Sequence, residues 1–308
     1  MSTPSKRFPL TIFCGKGGVG KTSLALAFAL RHAEQGRPIL VVTSHPLHEL
    51  AVSVSLAGLK ESYPKAAANL FIIHIDPLEI LANKVRRTIP SDLLAKKVLA
   101  SRIYKSLIEV APGLKEIAFL GRLRQLAEES SRDGMPGQFS LLVWDAPATG
   151  HFLQTLKVSQ SFEAYLSGPF GLLGREVSEF FSDVANLFLI PVTALEEMAV
   201  EETIELCEKL AGELKIRPAG LICNMASPAL ASPDSDFGNL RHQITREGGY
   251  SEDLKFIFGR CEIERALFHK LRSSIDAEFY IVKRVPSWNS DLDLLLNLSR
   301  QLGGISLT

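Results

Sequence analysis

No apolar run in the sequence approaches the roughly 20 residues needed to cross a bilayer, so an integral membrane protein is not expected. No C-x-x-C pair occurs either: Cys14, Cys207, Cys223 and Cys261 stand singly. That excludes a zinc knuckle and a disulfide framework and leaves buried thiols as the expected state. Neither sign of charge is in excess, because 34 Lys and Arg balance 34 Asp and Glu. The chain as a whole therefore has no field to draw it to nucleic acid or to an anionic membrane, and any such contact needs a local patch. The seven histidines are dispersed, with no helical H-x-x-x-H ligand pair. Internal repeats and low-complexity tracts are absent as well. The opening residues MSTPSKRFPLTIF run into a strand-like segment where a secretion leader would carry its cleavage site, so a cytoplasmic protein is expected.

What is present is a large apolar fraction. The chain has 308 residues, 46% of them apolar and 22% charged, enough for one large core or for a domain with an insertion. Short β-branched runs at 10–14, 39–43, 71–75, 140–144, 186–191, 220–224 and 278–282 predict strands. Helix-period segments such as 23–34, 196–214 and 291–302 lie between them. Apolar strands alternating with helices predict an α/β fold, a three-layer doubly wound, mostly parallel sheet covered on both faces. Residues 77–139 and 152–185 are longer than a crossover needs, and they predict an inserted helical subdomain packed beside the sheet. The segment ASPALASPDSD, 226–236, predicts a surface loop.

The chemistry starts at FCGKGGVGKTSLALA, residues 13–27. Gly15, Gly20, Lys21 and Thr22 satisfy G-x-x-x-x-G-K-S/T directly after a strand and directly before a helix, the setting a phosphate-binding loop requires. Glycines let backbone N–H groups converge on a phosphate, the helix N-terminus adds partial positive charge, and the lysine reaches the β- and γ-phosphates. A threonine hydroxyl in this position holds Mg²⁺. The expected ATP or ADP contacts are Gly15, Gly17, Gly18, Val19, Gly20, Lys21, Thr22 and Ser23.

Lys16 is a second lysine, more than one phosphate-binding loop needs. The string G-K-G-G-V-G-K-T resembles the deviant loop of the family that includes the arsenite pump ATPase, the ATPase that delivers tail-anchored membrane proteins, and the partition and division-site ATPases. The resemblance implies that Lys16 crosses a dimer interface to the partner's nucleotide, where a cation supplied in trans offsets charge on the transferred phosphoryl group. An exposed loop lysine is the plain alternative. LLVWDAPATGHFLQTL, 141–156, is similar to the second switch of the arsenite pump and tail-anchored-protein branch. It implies that Asp145 binds Mg²⁺ through water and that Gly150 gives the segment a hinge. PAGLICNMAS resembles the strand whose asparagine, here Asn224, reads adenine, and FYIVKRVPSWNSDLD resembles the loop that closes on the base near Pro286. The resemblance covers most of the chain, with its motifs in order.

The departures narrow the expectation. Where the branch carries an aspartate that orients the attacking water, this chain reads VVTSHPLHELA, with His45 in that place and His48 three residues on. A neutral imidazole is a poorer water-orienting group than a carboxylate, and beside a triphosphate it would tend to protonate, so weak hydrolysis is expected. Only Met135, Met198 and Met225 come after the initiator, so the branch's Met-rich client helix has no counterpart. Its metal-clamping and arsenite-binding cysteines have none either.

Two stretches are candidates for partner contact. Residues 160–185 gather Phe162, Tyr165, Leu166, Phe170, Leu172, Leu173, Phe180 and Phe181, which suit core packing or a dimer or client groove. Residues 84–105 carry Lys84, Arg86, Arg87, Lys96, Lys97, Arg102 and Lys105, which suit a solvated helix face or an anionic partner. The expected protein is an ATP-binding, dimer-forming P-loop ATPase with catalytic Lys16, Lys21, Asp145 and His45. It would act as a nucleotide-driven switch on a protein client or a membrane protein partner. The alternatives are a non-hydrolysing subunit paired with a more complete paralogue, and a phosphoryl-transfer or ligase enzyme on the same fold.

Overall fold

Strand β1, Leu10–Cys14, is buried along its whole length and lies at the centre of a seven-stranded sheet. The computed structural model describes residues 10–43, 64–111, 113–130, 139–165, 169–183, 186–231 and 252–305. The other strands are β2 Ile39–Thr43, β3 Leu70–His74, β4 Leu141–Asp145, β5 Leu187–Ala194, β6 Gly220–Ala226 and β7 Glu278–Lys283. They run in the order β3-β2-β4-β1-β5-β6-β7, and every pairing is parallel. The expected doubly wound α/β architecture is what forms, with strand limits within a few residues of those read from the β-branched runs.

Alternation along the buried strands sends side chains to two different helical layers. Leu10, Ile12 and Cys14 face one side with Leu142 and Trp144, while Phe13 faces the other with Leu141 and Val143. On the second side lie α1, Lys21–Glu34, α2, Pro64–Asn69, and α11, Asp291–Gln301. α1 is apolar nearly all round, which suits a helix wedged between the sheet and α11.

The first side is covered by α3 Pro77–Thr88, α6 Leu114–Ser130, α7 Thr149–Tyr165, α8 Pro169–Ser182 and α9 Glu197–Lys209. α4 Asp92–Ala100 and α5 Arg102–Val110 extend outward from α3. Much of the 77–139 and 152–185 excursions is therefore the sheet's own helical layer. α6 and α7 pack directly on β4, where Trp144 stacks against Phe119 and Phe152 with ring centroids 5.3 and 5.5 Å apart. A π-helical turn, Leu210–Leu214, carries α9 toward β6. A third core cluster joins α9 to β6, β7 and the long helix α10, Glu252–Ser274. Of the 226–236 loop, Pro228–Ala231 forms a 3-10 turn, and residues 232–236 lie outside the described residues.

Candidate functional site

The loop between β1 and α1 is shaped by three glycines with positive φ: Gly15 at 135°, Gly18 at 84° and Gly20 at 88°. Two of them are also confined by close neighbours. A Cβ on Gly15 would lie 2.2 Å from the carbonyl oxygen of Val192, and one on Gly20 would lie 2.4 Å from Nδ2 of Asn224. Gly17 and Gly18 face open space, so a ligand can reach the backbone there. Val19 is buried, and its carbonyl accepts a hydrogen bond from Asn224 Nδ2 at 2.9 Å, tying the loop to the end of β6.

Lys21 and Thr22 open α1. Lys21 is only 9% exposed, and its Nζ donates to the carbonyl oxygen of Lys16 at 2.8 Å, so the ammonium is folded back over the loop. Burial pushes its pKa below the usual lysine value, against the opposing pull of Asp145, Cys14 and Glu202. Thr22 Oγ1 donates to Oδ2 of Asp145 at 2.7 Å. The register Phe13↔Asp145 and a 3.0 Å bond from Ala146 N to Phe13 O hold β4 against β1 at that point. The threonine's proton is thus committed to the carboxylate, while its lone pairs stay available to a hard cation. Asp145 is 2% exposed. No group of three His, Cys, Asp or Glu placed to hold a metal occurs among the described residues. A cation at Thr22 and Asp145 would have to complete its shell with ligand oxygens and water, as Mg²⁺ does beside a polyphosphate.

The oxygen donors, the open backbone at Gly17 and Gly18, and the lysine at the helix start fit a Mg·nucleotide. Next to the loop lies a cleft of about 320 Å³ lined by Gly20, Ser23, Asn224, Met225, Pro286 and Trp288, among others. Asn224 and Pro286, about 60 residues apart in the chain, thus meet on one cleft that opens beside the loop. Asn224 is 5% exposed, and Met225 adopts a positive φ of 55° as the strand ends. Trp288, two residues after Pro286 in the same segment, is half exposed at the cleft.

Lys16 contacts a carboxylate of its own chain, with Nζ 3.4 Å from Oε2 of Glu202 on α9 and both side chains about one-third exposed. Glu202 carries no sequence signal, since nothing in helix periodicity marks an acid that will meet a loop so far away. His45 and His48 lie outside the described residues. All four cysteines are buried and free, and burial pushes Cys14 well above the usual thiol range.

Comparison with families of known proteins matches residues 9–215 to the one described as anion-transporting ATPase. The chain belongs to that family. Among related members, the arsenical pump-driving ATPase of Acidiphilium multivorum is 27% identical over 238 residues, covering 71% of this chain and 40% of its own length. ATPase GET3C of Arabidopsis thaliana is 30% identical over 171 residues, covering 50% of this chain and 42% of its own length. ATPase BagA of Mycobacterium tuberculosis is 26% identical over 240 residues, covering 73% and 67%. The chain spans about two-fifths of the first two relatives, 40% and 42%. The glycine-rich loop, Asp145 and α9 all fall inside the part shared with the anion-transporting ATPase family. Asn224 and Pro286 fall beyond it. Among the described residues no helix is long and apolar enough to cross a membrane.

Proposed function

We propose that this chain is a cytoplasmic ATPase that binds ATP or ADP with Mg²⁺ and works as a nucleotide-driven conformational switch. Membership of the anion-transporting ATPase family supports the class of chemistry. The observation that carries the reading furthest is the bond from Thr22 to Asp145, because it joins the start of α1 to the end of β4 with two oxygen donors suited to Mg²⁺. Bound there, Mg²⁺ would offset phosphate charge.

The chain's own residues divide the remaining work. Backbone N–H groups from Gly15 to Thr22 receive the phosphates, and Lys21 leaves the Lys16 carbonyl to meet the outer ones. Asn224, Pro286 and Trp288 receive the base in the adjoining cleft. Asp145 orients the Thr22 hydroxyl, and the segment through Gly150 into α7 carries a change at the phosphates into the helical layer. Lys16 acts on the nucleotide of a second subunit, a homodimer mate or a paralogue. Closure of two subunits then alters the helical subdomains and their affinity for a protein client or a membrane protein partner.

Hydrolysis by the chain alone is slow, because His45 stands where a carboxylate would orient water. A positioned base contributes about 10²- to 10⁴-fold, or roughly 3–5 kcal/mol of barrier. The same substitution favours the second reading, a non-hydrolysing partner subunit of a heterodimer. Calorimetry with Mg·ADP on wild type and Lys21→Ala tests binding, and unchanged affinity in the variant would remove the basis of the proposal. Steady-state hydrolysis by wild type and His45→Asp tests the rate. A brisk wild-type rate that the aspartate does not raise would show that another group orients the water.

A further inference from the structure

We infer that the cavity between α3, α6 and α8 is a binding site for a small anionic amphiphile, a molecule with a carboxylate or phosphate head and an apolar body. The cavity measures about 520 Å³ and lies in the helical layer, apart from the glycine-rich loop and the cleft beside it. Its walls differ in chemistry. Lys84 and Arg87 on α3 and Arg122 on α6 line it, and among the described residues no carboxylate does. Leu81, Ala118 and Leu173 supply apolar surface.

The hollow has a cause in the sequence. α6 presents Ala118 where a larger residue would fill the space, and the missing side chain of Gly121 admits Leu173 of α8, whose Cδ1 would lie 2.9 Å from a Cβ there. α8 therefore closes on α6 at this point. The volume falls in the range of ligand sites, roughly 300–1,000 Å³, and would hold little more than about one turn of a helix about 10 Å across. That favours a small molecule over a peptide helix.

The charge distribution favours an anion. Arg122 is paired with Glu129 at 3.5 Å, but the two side chains are 39% and 59% exposed, and such a pair exchanges easily for a bound carboxylate or phosphate. Lysine and arginine stems can lie along the apolar body while their heads hold the charge. Binding itself does not depend on the nucleotide reading and is measured without nucleotide.

The test is calorimetric titration of the full chain with sodium decanoate, beside sodium acetate and decyltrimethylammonium. Saturable binding of one decanoate per chain is expected, with neither control matching it. The double variant Lys84→Gln, Arg87→Gln should bind about tenfold more weakly. Ala118→Leu, which fills the floor, should abolish binding at an unchanged melting midpoint. If Ala118→Leu melts early, the double variant on α3 decides alone. No saturable decanoate binding, equal binding of the cationic amphiphile, or wild-type affinity in the double variant overturns the inference. Sedimentation with phosphatidylglycerol vesicles identifies the source: pelleting that decanoate reverses assigns a membrane lipid, and no pelleting assigns a free amphiphile.

Discussion

Lys16 Nζ lies 3.4 Å from Glu202 Oε2 of the same chain. Two partly exposed side chains at that distance are worth at most about 1 kcal/mol, so the pair is a resting place that a stronger anion can displace. If Lys16 acts in trans, Glu202 is the group it must leave. Lys16→Ala should therefore bind ADP within about threefold of wild type, since Lys21 and the loop backbone remain, yet lose ATP-dependent association in light scattering. Glu202→Gln should associate more readily. Lys16→Ala that loses ADP as badly as Lys21→Ala, with association untouched, rules out the trans role.

Lys21 carries a proton linkage. Its pKa is lowered chiefly by burial, so at high pH the free protein sheds this proton sooner than an exposed lysine does. A polyphosphate beside the ammonium favours the charged form and raises that pKa again. Between the two values the complex holds more protons than the free chain, so nucleotide affinity should rise as pH falls through that alkaline window. Calorimetry of ADP binding across the alkaline range, in buffers of different ionisation enthalpy, should report proton uptake. Zero uptake there, or proton release, contradicts the assignment of Lys21 to the phosphates.

The two constrained glycines should differ in how they fail. At Gly15 the obstacle is the Val192 carbonyl on β5, which cannot move aside, so Gly15→Ala should cost more than about 3 kcal/mol in urea unfolding. At Gly20 the obstacle is the Asn224 amide, which can retreat by giving up its bond to Val19. Gly20→Ala should cost about 2–3 kcal/mol, the sum of a left-handed residue and one hydrogen bond. In an Asn224→Ala background the same change should cost less. Strict additivity in that double-mutant cycle would place the strain elsewhere.

His32 on α1 is 7% exposed, and neither ring nitrogen has a hydrogen-bond partner among the described residues. Burial first, then Arg37 and Arg31, push its pKa down to about 4. The unfolded chain, with its histidine near 6.5, therefore binds the extra proton first. Stability from this group is complete above about pH 6.5 and declines as pH falls to about 4, by up to about 3 kcal/mol. His32→Leu should be within about 1 kcal/mol of wild type at pH 7.5 and more stable than it at pH 5. Parallel pH profiles for the two proteins would show that some other group governs the acid limb.

Strands and loop are legible because their signals are local. Five consecutive buried residues ending at Cys14, four of them apolar, and the glycines, lysine and threonine after them, fix β1, its turn and the start of α1 without reference to the rest of the chain. Asp145 is legible because a strand ending in a carboxylate repeats that logic on β4. Contacts set by tertiary packing are not. Glu202 meets Lys16, and Glu264 of α10, 3% exposed, accepts from Ser227 N at 2.8 Å beyond β6, and neither acid differs in sequence from its solvated neighbours. α10 itself gives little signal, its residues mixing charged and apolar side chains without a clean stripe. The length of the 77–139 and 152–185 excursions signals added helices beside the sheet but not where each helix seats. The aromatic stack on Trp144, which seats α6 and α7 on the sheet, depends on rings from three separate segments.

The strand order also sets a timetable. β1 is flanked by β4 and β5, so it has no lateral partner until β4 exists, roughly 125 residues later in the chain. At about 5–20 residues per second a ribosome needs on the order of ten seconds to make that stretch, during which a largely apolar strand and its glycine loop wait unpaired. Pairings of such long sequence separation also form slowly in the free chain. The nascent chain is thus most exposed to aggregation while β1 is complete and β4 is not, and ribosome-bound chains arrested before Leu141 should need a chaperone that chains arrested beyond β5 do not.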